Sequence, residues 1–117
     1  MCCKVAKIYE AKVTKEVVKK AIIQVLKQRN VPVKEIVMFG SRARGDFKSS
    51  SDWDFLIVLR ETISRDQKRE IAHRIRKKLA ELYIPCDVIV KSQKEVQERK
   101  EVIGSVIRSA IKEGIIL

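Results

Sequence analysis

A two-layer domain of mixed helices and strands, α/β or α+β, is what this sequence predicts, and three observations carry that expectation. Short apolar runs at 36–39, 55–59 and 88–90 read as buried strands. Between and around them, apolar residues recur at three- and four-residue intervals, the spacing of amphipathic helices. A length of 117 residues suits one compact domain over 1–117, burying roughly 65% of its unfolded surface without disulfides or structural metal.

The elements follow in order. Residues 1–13 are ambiguous, since Val5, Ile8 and Tyr9 suit either a helix or an edge strand. From Thr14, placed as an N-cap, Val17, Val18, Ala21, Ile22, Val25 and Leu26 form one face of a helix ending near Asn30 and Pro32. Lys19, Lys20, Lys27 and Arg29 fall on its wet side. Ile36-Val37-Met38-Phe39 is a buried strand stopped by Gly40-Ser41, a tight turn. The stretch 42–51 holds Gly45 and the serines Ser49, Ser50 and Ser51, and reads as a loop with one helical turn after Ser41.

Phe55 to Leu59 makes the second strand. Ser64 with Gln67 is a capping box, opening a helix with Ile71, Ile75, Leu79 and Leu82 on one stripe and ending before Pro85. Residues 64–83 carry seven basic and three acidic side chains, a solvated face by the simplest reading, and His73 lies off the apolar stripe. Val88-Ile89-Val90 is the third strand. Ser92 with Glu95 is another capping box, and a last helix is expected through Val102, Ile103, Val106, Ile107, Ala110 and Ile111 to Gly114 as C-cap. Ile115-Ile116-Leu117 fits either core packing or contact with a partner.

Composition narrows the function classes. Hydrophobic residues at 45% and charged residues at 35% describe a soluble globular chain, with no signal-like or membrane-spanning run. Cys2, Cys3 and Cys86 have no zinc-like spacing, which leads to a reduced, cytoplasmic protein with Cys86 as core filler. The net charge of +11 suits a polyanionic partner such as RNA, but equally a solvated Lys/Arg-rich surface, and scattered acids favour the latter. Aromatics at 5% argue against a multi-ring platform for single-stranded nucleic acid.

The chemistry concentrates in FGSRARGDFKSSSDWDFLIV, residues 39–58. Gly40 lets backbone approach a ligand, and the Ser41 hydroxyl and nearby N–H groups suit phosphate oxygens. No G-K-[ST] ending follows, so this is not a Walker A loop. Asp52 and Asp54, two residues apart at a strand entrance, face one way about 6.5–7 Å apart, while Trp53 and Phe55 anchor the opposite face. Converging carboxylates repel unless a cation lies between them, and Mg²⁺, taking one or two carboxylates plus water and phosphate, is apt. Asp87 opens the third strand; if that strand neighbours the second, its carboxylate joins the same end. Each feature alone is an ordinary turn, cap or strand end.

Together they resemble the DNA polymerase β-like nucleotidyltransferase superfamily. Within it, G-S-R-A-R-G followed by S-D-W-D-F is similar to the minimal nucleotidyltransferases, over essentially the whole chain. The resemblance implies a small mixed sheet covered by helices and AMP transfer from ATP. It implies triphosphate contacts at Gly40, Ser41 and Arg44, with Asp52, Asp54 and Asp87 as magnesium ligands and catalytic carboxylates. Arg44 is alternatively a loop brace pairing with Asp46 or Asp52, and Arg42 is a weaker phosphate candidate. It further implies a HEPN-domain toxin as partner, neutralised by AMP on a tyrosine. Two other readings stay open: a binding module that silences its partner by contact, and an enzyme modifying a small molecule, disfavoured by the lack of an acceptor domain.

Overall fold

The computed structural model describes residues 15–45, 52–100, 102 and 106–117, apart from the Ser41 side chain. Its elements are α1 (Lys15–Gln28), β1 (Val33–Phe39), α2 (Ser41–Arg44), β2 (Trp53–Leu59), α3 (Arg65–Glu81), β3 (Cys86–Ser92), α4 (Gln93–Arg99), α5 (Val106–Glu113) and β4 (Ile115–Ile116). Thr14 and the first thirteen residues lie outside the described residues.

The four strands form one mixed sheet in the order β3-β2-β1-β4. β1 runs antiparallel to β2 and to β4, whereas β2 and β3 are parallel. A parallel pair cannot be joined by a tight hairpin, and α3 supplies the required crossover. The fold is therefore α+β, as the sequence predicts.

β2 lies inside the sheet and is buried on both faces, which explains its unbroken apolar run. Trp53, Phe55, Ile57 and Leu59 enter the larger core with Val18, Ile22, Val25 and Leu26 of α1 and Ile71, Ile75 and Leu79 of α3. Leu56 and Val58 point the other way, to Val37, Val96 of α4, and Ile107 and Ala110 of α5. The second face thus carries short helices of its own. No helix among the described residues is long and apolar enough to cross a membrane.

Both capping boxes form. Ser64 Oγ accepts from the Gln67 N–H, and the Gln67 side chain accepts from the Ser64 N–H. Ser92 and Glu95 repeat the exchange at α4, where Glu95 also pairs with Lys68 of α3. Because Ser92 is almost fully buried, Ser92→Ala should lower stability by about 1–2 kcal/mol, measured by urea unfolding.

Three details depart from the sequence reading. The last helix does not run from Val102: α4 ends at Arg99, and α5 begins at Val106, with Val102 non-helical and exposed. Val17 belongs to the wet margin of α1, since Val18 and Ala21 already fill that turn of the buried stripe. Gly114 does not cap α5 by a left-handed backbone. It is needed because a Cβ there would collide with the Ala110 carbonyl and with Val37 of β1. That close approach lets Ile115 and Ile116 add to β1, opposite Met38 and Val37. Ile115 and Leu117 pack on the core while Ile116 stays exposed, which resolves the C-terminal alternatives mainly toward packing.

α1 and α3 end in the same left-handed turn. The Val31 N–H reaches the Leu26 carbonyl across Asn30 at φ 53, and the Ile84 N–H reaches the Leu79 carbonyl across Tyr83 at φ 59. Asparagine tolerates this conformation; a bulky aromatic residue rarely adopts it. Tyr83→Gly should therefore stabilise the protein by about 1 kcal/mol, seen as a higher Tm.

Candidate active site

The site is built at the end of the sheet where β1 stops and where β2 and β3 begin. Gly40, at φ 75, turns the chain out of β1, and its carbonyl accepts from the N–H groups of Ala43 and Arg44 at 3.1 Å to start α2. Ala43 packs on the core and holds this turn down. The sequence reading anticipates the helical turn, and its cause is now visible: only a left-handed residue lets β1 feed directly into it.

Asp54 is the centre of the arrangement. In register it lies opposite Phe39 on β1 and opposite Asp87 on β3. Residues paired across a parallel ladder point to the same face, and that face is shared with Leu56, Val58 and Ile89. Asp52, two residues before Asp54, has the same parity and is exposed. The Trp53 N–H donates to the Pro85 carbonyl at 3.0 Å, fixing the start of β2 beside the start of β3. The three motif carboxylates therefore come from separate points in the chain to one sheet end.

Gly40 is fitted to Asp54. The space where a Cβ would stand is taken by the Asp54 carboxylate, so glycine is required there by contact as well as by φ. Burial raises the Asp54 pKa above the ordinary carboxylate value, and the charges of Asp87 and Asp52 raise it further, while Arg44 lowers it. Asp54 thus feels both other carboxylates. Among the described residues, no group of three or more His, Cys, Asp or Glu side chains is placed to hold a metal ion. An ion that takes only one or two carboxylates and completes its shell with water and phosphate oxygens, as Mg²⁺ does, would need no such group. The self-repulsion at Asp54 is the electrostatic condition a divalent cation would relieve.

The arginines divide. Arg44 Nη1 donates to Glu113 Oε2 at 3.2 Å, joining the turn to α5, and its charge reaches Asp54. Asp46, one of the alternative partners the sequence offers, lies outside the described residues. Arg42 instead stacks over the Trp53 ring at 4.9 Å, toward the larger core and away from the carboxylate face. Glu113 was not legible in the sequence. It stands 69 positions from Arg44, and only the docking of α5 onto β1 brings them together.

Nearby groups have no part in this chemistry. Cys86 is half-buried against the core, and burial pushes its thiol up to about 11, so it is protonated and inert at neutral pH, as expected of core filler. His73 is exposed on α3. A cavity of about 140 Å³ lined by Arg29, Val31, Ile63, Gln67, Glu70 and Ile71 lies at the far end of the sheet and is unconnected with the carboxylates.

Comparison with known proteins agrees with this geometry. No curated protein matches the chain. A Sulfolobus solfataricus protein provisionally assigned as a nucleotidyltransferase shares the fold with a TM-score of 0.60 and 21% identity, over 95% of this chain and 84% of that one. A toxin–antitoxin complex with AMP-PNP contains a chain similar at a TM-score of 0.55 and 19% identity, over 83% of this chain and 69% of that one. The complex of tri-AMPylated Shewanella oneidensis HEPN toxin with MNT antitoxin contains another, at a TM-score of 0.54 and 16% identity, over 88% and 71%. At these identities the likeness concerns the fold. Residues 19–117, nearly all of the described structure, match the nucleotidyltransferase domain family, and the chain belongs to it.

Proposed function

We propose that this nucleotidyltransferase moves AMP from ATP to a tyrosine hydroxyl of a HEPN-type partner protein and thereby neutralises that partner. The observation that carries the reading is the register pairing of Asp54 with Asp87 beside Gly40, which brings two carboxylates to the sheet end where the glycine turn leaves β1. The toxin–antitoxin complexes of the same fold, one holding AMP-PNP and one an AMPylated toxin, supply the acceptor class.

In this reading Gly40 and Ser41 receive the triphosphate, and Arg44 places a positive charge beside it. Asp52 and Asp54 would hold Mg²⁺, with Asp87 as third carboxylate; the bound ion neutralises the triphosphate and stabilises charge developing at the α-phosphate. The acceptor oxygen forms a bond to the α-phosphorus, the bond from that phosphorus to the β-phosphate bridging oxygen breaks, and pyrophosphate leaves. Asp87, exposed at the strand entrance, accepts the acceptor proton.

The test is to incubate the protein with a HEPN-type partner and Mg-ATP and to measure intact masses. AMP additions on the partner, lost with Asp52→Asn or Asp54→Asn, support the reading. Full neutralisation by the double variant with no mass gain would establish contact alone as the mechanism. AMP appearing only on added small-molecule hydroxyls would move the acceptor class instead.

A further inference from the structure

We propose that the arginine-bearing flank of α3, together with Tyr83 after its end, is a binding surface for single-stranded RNA. At roughly 100° per residue, Arg65, Arg69 and Arg76 lie within about 40° of one another on the helix, with Lys77 about 80° farther round from Arg69. All four are exposed, and none forms an ion pair among the described residues. Of the neighbouring acids, Glu70 pairs with both Arg29 and Arg74, and Glu95 with Lys68 and Lys91, which leaves exposed Asp66 and Glu81 against seven basic residues of 64–83.

The row has a definite outlook. The Arg29–Glu70 pair closes the side of α3 toward α1, while the Arg76 charge reaches Cys86 at the start of β3 on the other side. β3 is the terminal strand of the sheet, pairing only with β2 among the described residues, so the helix that crosses to it borders a sheet edge.

Tyr83 is the independent observation. Its residue is 81% exposed and sits at φ 59, where the equivalent turn after α1 uses Asn30. The residue is mostly exposed and its backbone is strained, a combination expected where the side chain serves a contact outside the chain. Cations spaced along one row suit a phosphodiester backbone, and a solitary projecting ring suits one unstacked base. An acidic polypeptide would use the arginines but leave the ring without purpose, and a duplex offers no unstacked base. Single strands in a cell are chiefly RNA, hence the assignment.

The experiment measures binding of a fluorescent single-stranded RNA across a salt series without ATP, so it does not depend on transfer activity. Four phosphate contacts predict a slope of log K on log salt of about −3, and Arg65→Gln/Arg69→Gln/Arg76→Gln should lessen it by about 2 and weaken low-salt binding at least ~10-fold. The control Lys19→Gln/Lys20→Gln/Lys27→Gln removes equal charge from exposed positions on α1 and should leave the slope nearly unchanged. Tyr83→Gly should lose affinity several-fold while its Tm rises, which separates contact from folding. Equal weakening by the lysine variant would reduce the effect to net charge and overturn the proposal. Displacement of RNA by polyglutamate or by a duplex at matched charge would overturn it too, as would unchanged binding in the arginine and tyrosine variants.

Discussion

Asp54→Asn is expected to abolish nucleotidyl transfer while producing an apo protein more stable than the wild type. The two effects share a cause. Asp54 is partly desolvated and stands among the charges of Asp87 and Asp52, so its ionised form is disfavoured in the folded chain. A folded-state pKa above the unfolded one means that the native state binds more protons in the interval between them. Stability therefore falls as pH rises through that interval, and the ionised carboxylate is a net cost at neutral pH. Asparagine keeps the shape and removes the charge, so Tm should rise at pH 7, and the difference from wild type should shrink below the ordinary carboxylate pKa. Transfer should drop by at least ~10³-fold, as expected when a group stabilising several kcal/mol of transition-state charge is lost. Mg²⁺ should raise the Tm of the wild type and much less that of the variant. A variant that keeps transfer, or one that melts lower than wild type at pH 7, would sink this account of the site.

Gly40→Ala should be the most damaging single-methyl change near the site. Alanine at φ 75 costs about 1–2 kcal/mol, and the new methyl group would meet the Asp54 carboxylate. One of the two must yield, and a total loss of about 2–3 kcal/mol is expected from chemical unfolding. Because the displaced group is the central carboxylate, transfer should fall by about 10²-fold even in the folded fraction. The test is a double-mutant cycle. In an Asp54→Ser background the carboxylate is gone, so Gly40→Ala should cost only the backbone part, about 1–2 kcal/mol. Additive losses would show that Gly40 is retained for φ alone.

The contrast between what the sequence disclosed and what it hid has a physical basis. β2 and the two capping boxes were legible because their signals are local: a continuous apolar run, and serine three residues before an amide or carboxylate partner. Asp52 and Asp54 were legible as a pair because strand parity is set within the strand. Asp87 required a condition, adjacency of β3 to β2, and the parallel register meets it. Glu113, by contrast, depends on where α5 docks, and Gly114 on how closely that helix approaches Val37, neither of which leaves a periodic trace. The departure from helix at Val102 left no trace because apolar residues on both sides continue a plausible helical stripe. Tyr83 was hidden for the opposite reason: a left-handed turn normally announces itself with glycine or asparagine, and here it does not.

Pairing of Ile116 with Val37 and the ion pair from Glu113 to Arg44 join the C-terminal unit, α5 with β4, to β1 and to the turn that follows it. A short strand held at two positions on an outer edge is the sort of unit that opens without global unfolding. Each such opening uncovers the flank of β1 and also releases the brace on Arg44. If a nucleotide engages Arg44 as proposed, amide-exchange protection at Ile115 and Leu117 is expected to change with its occupancy.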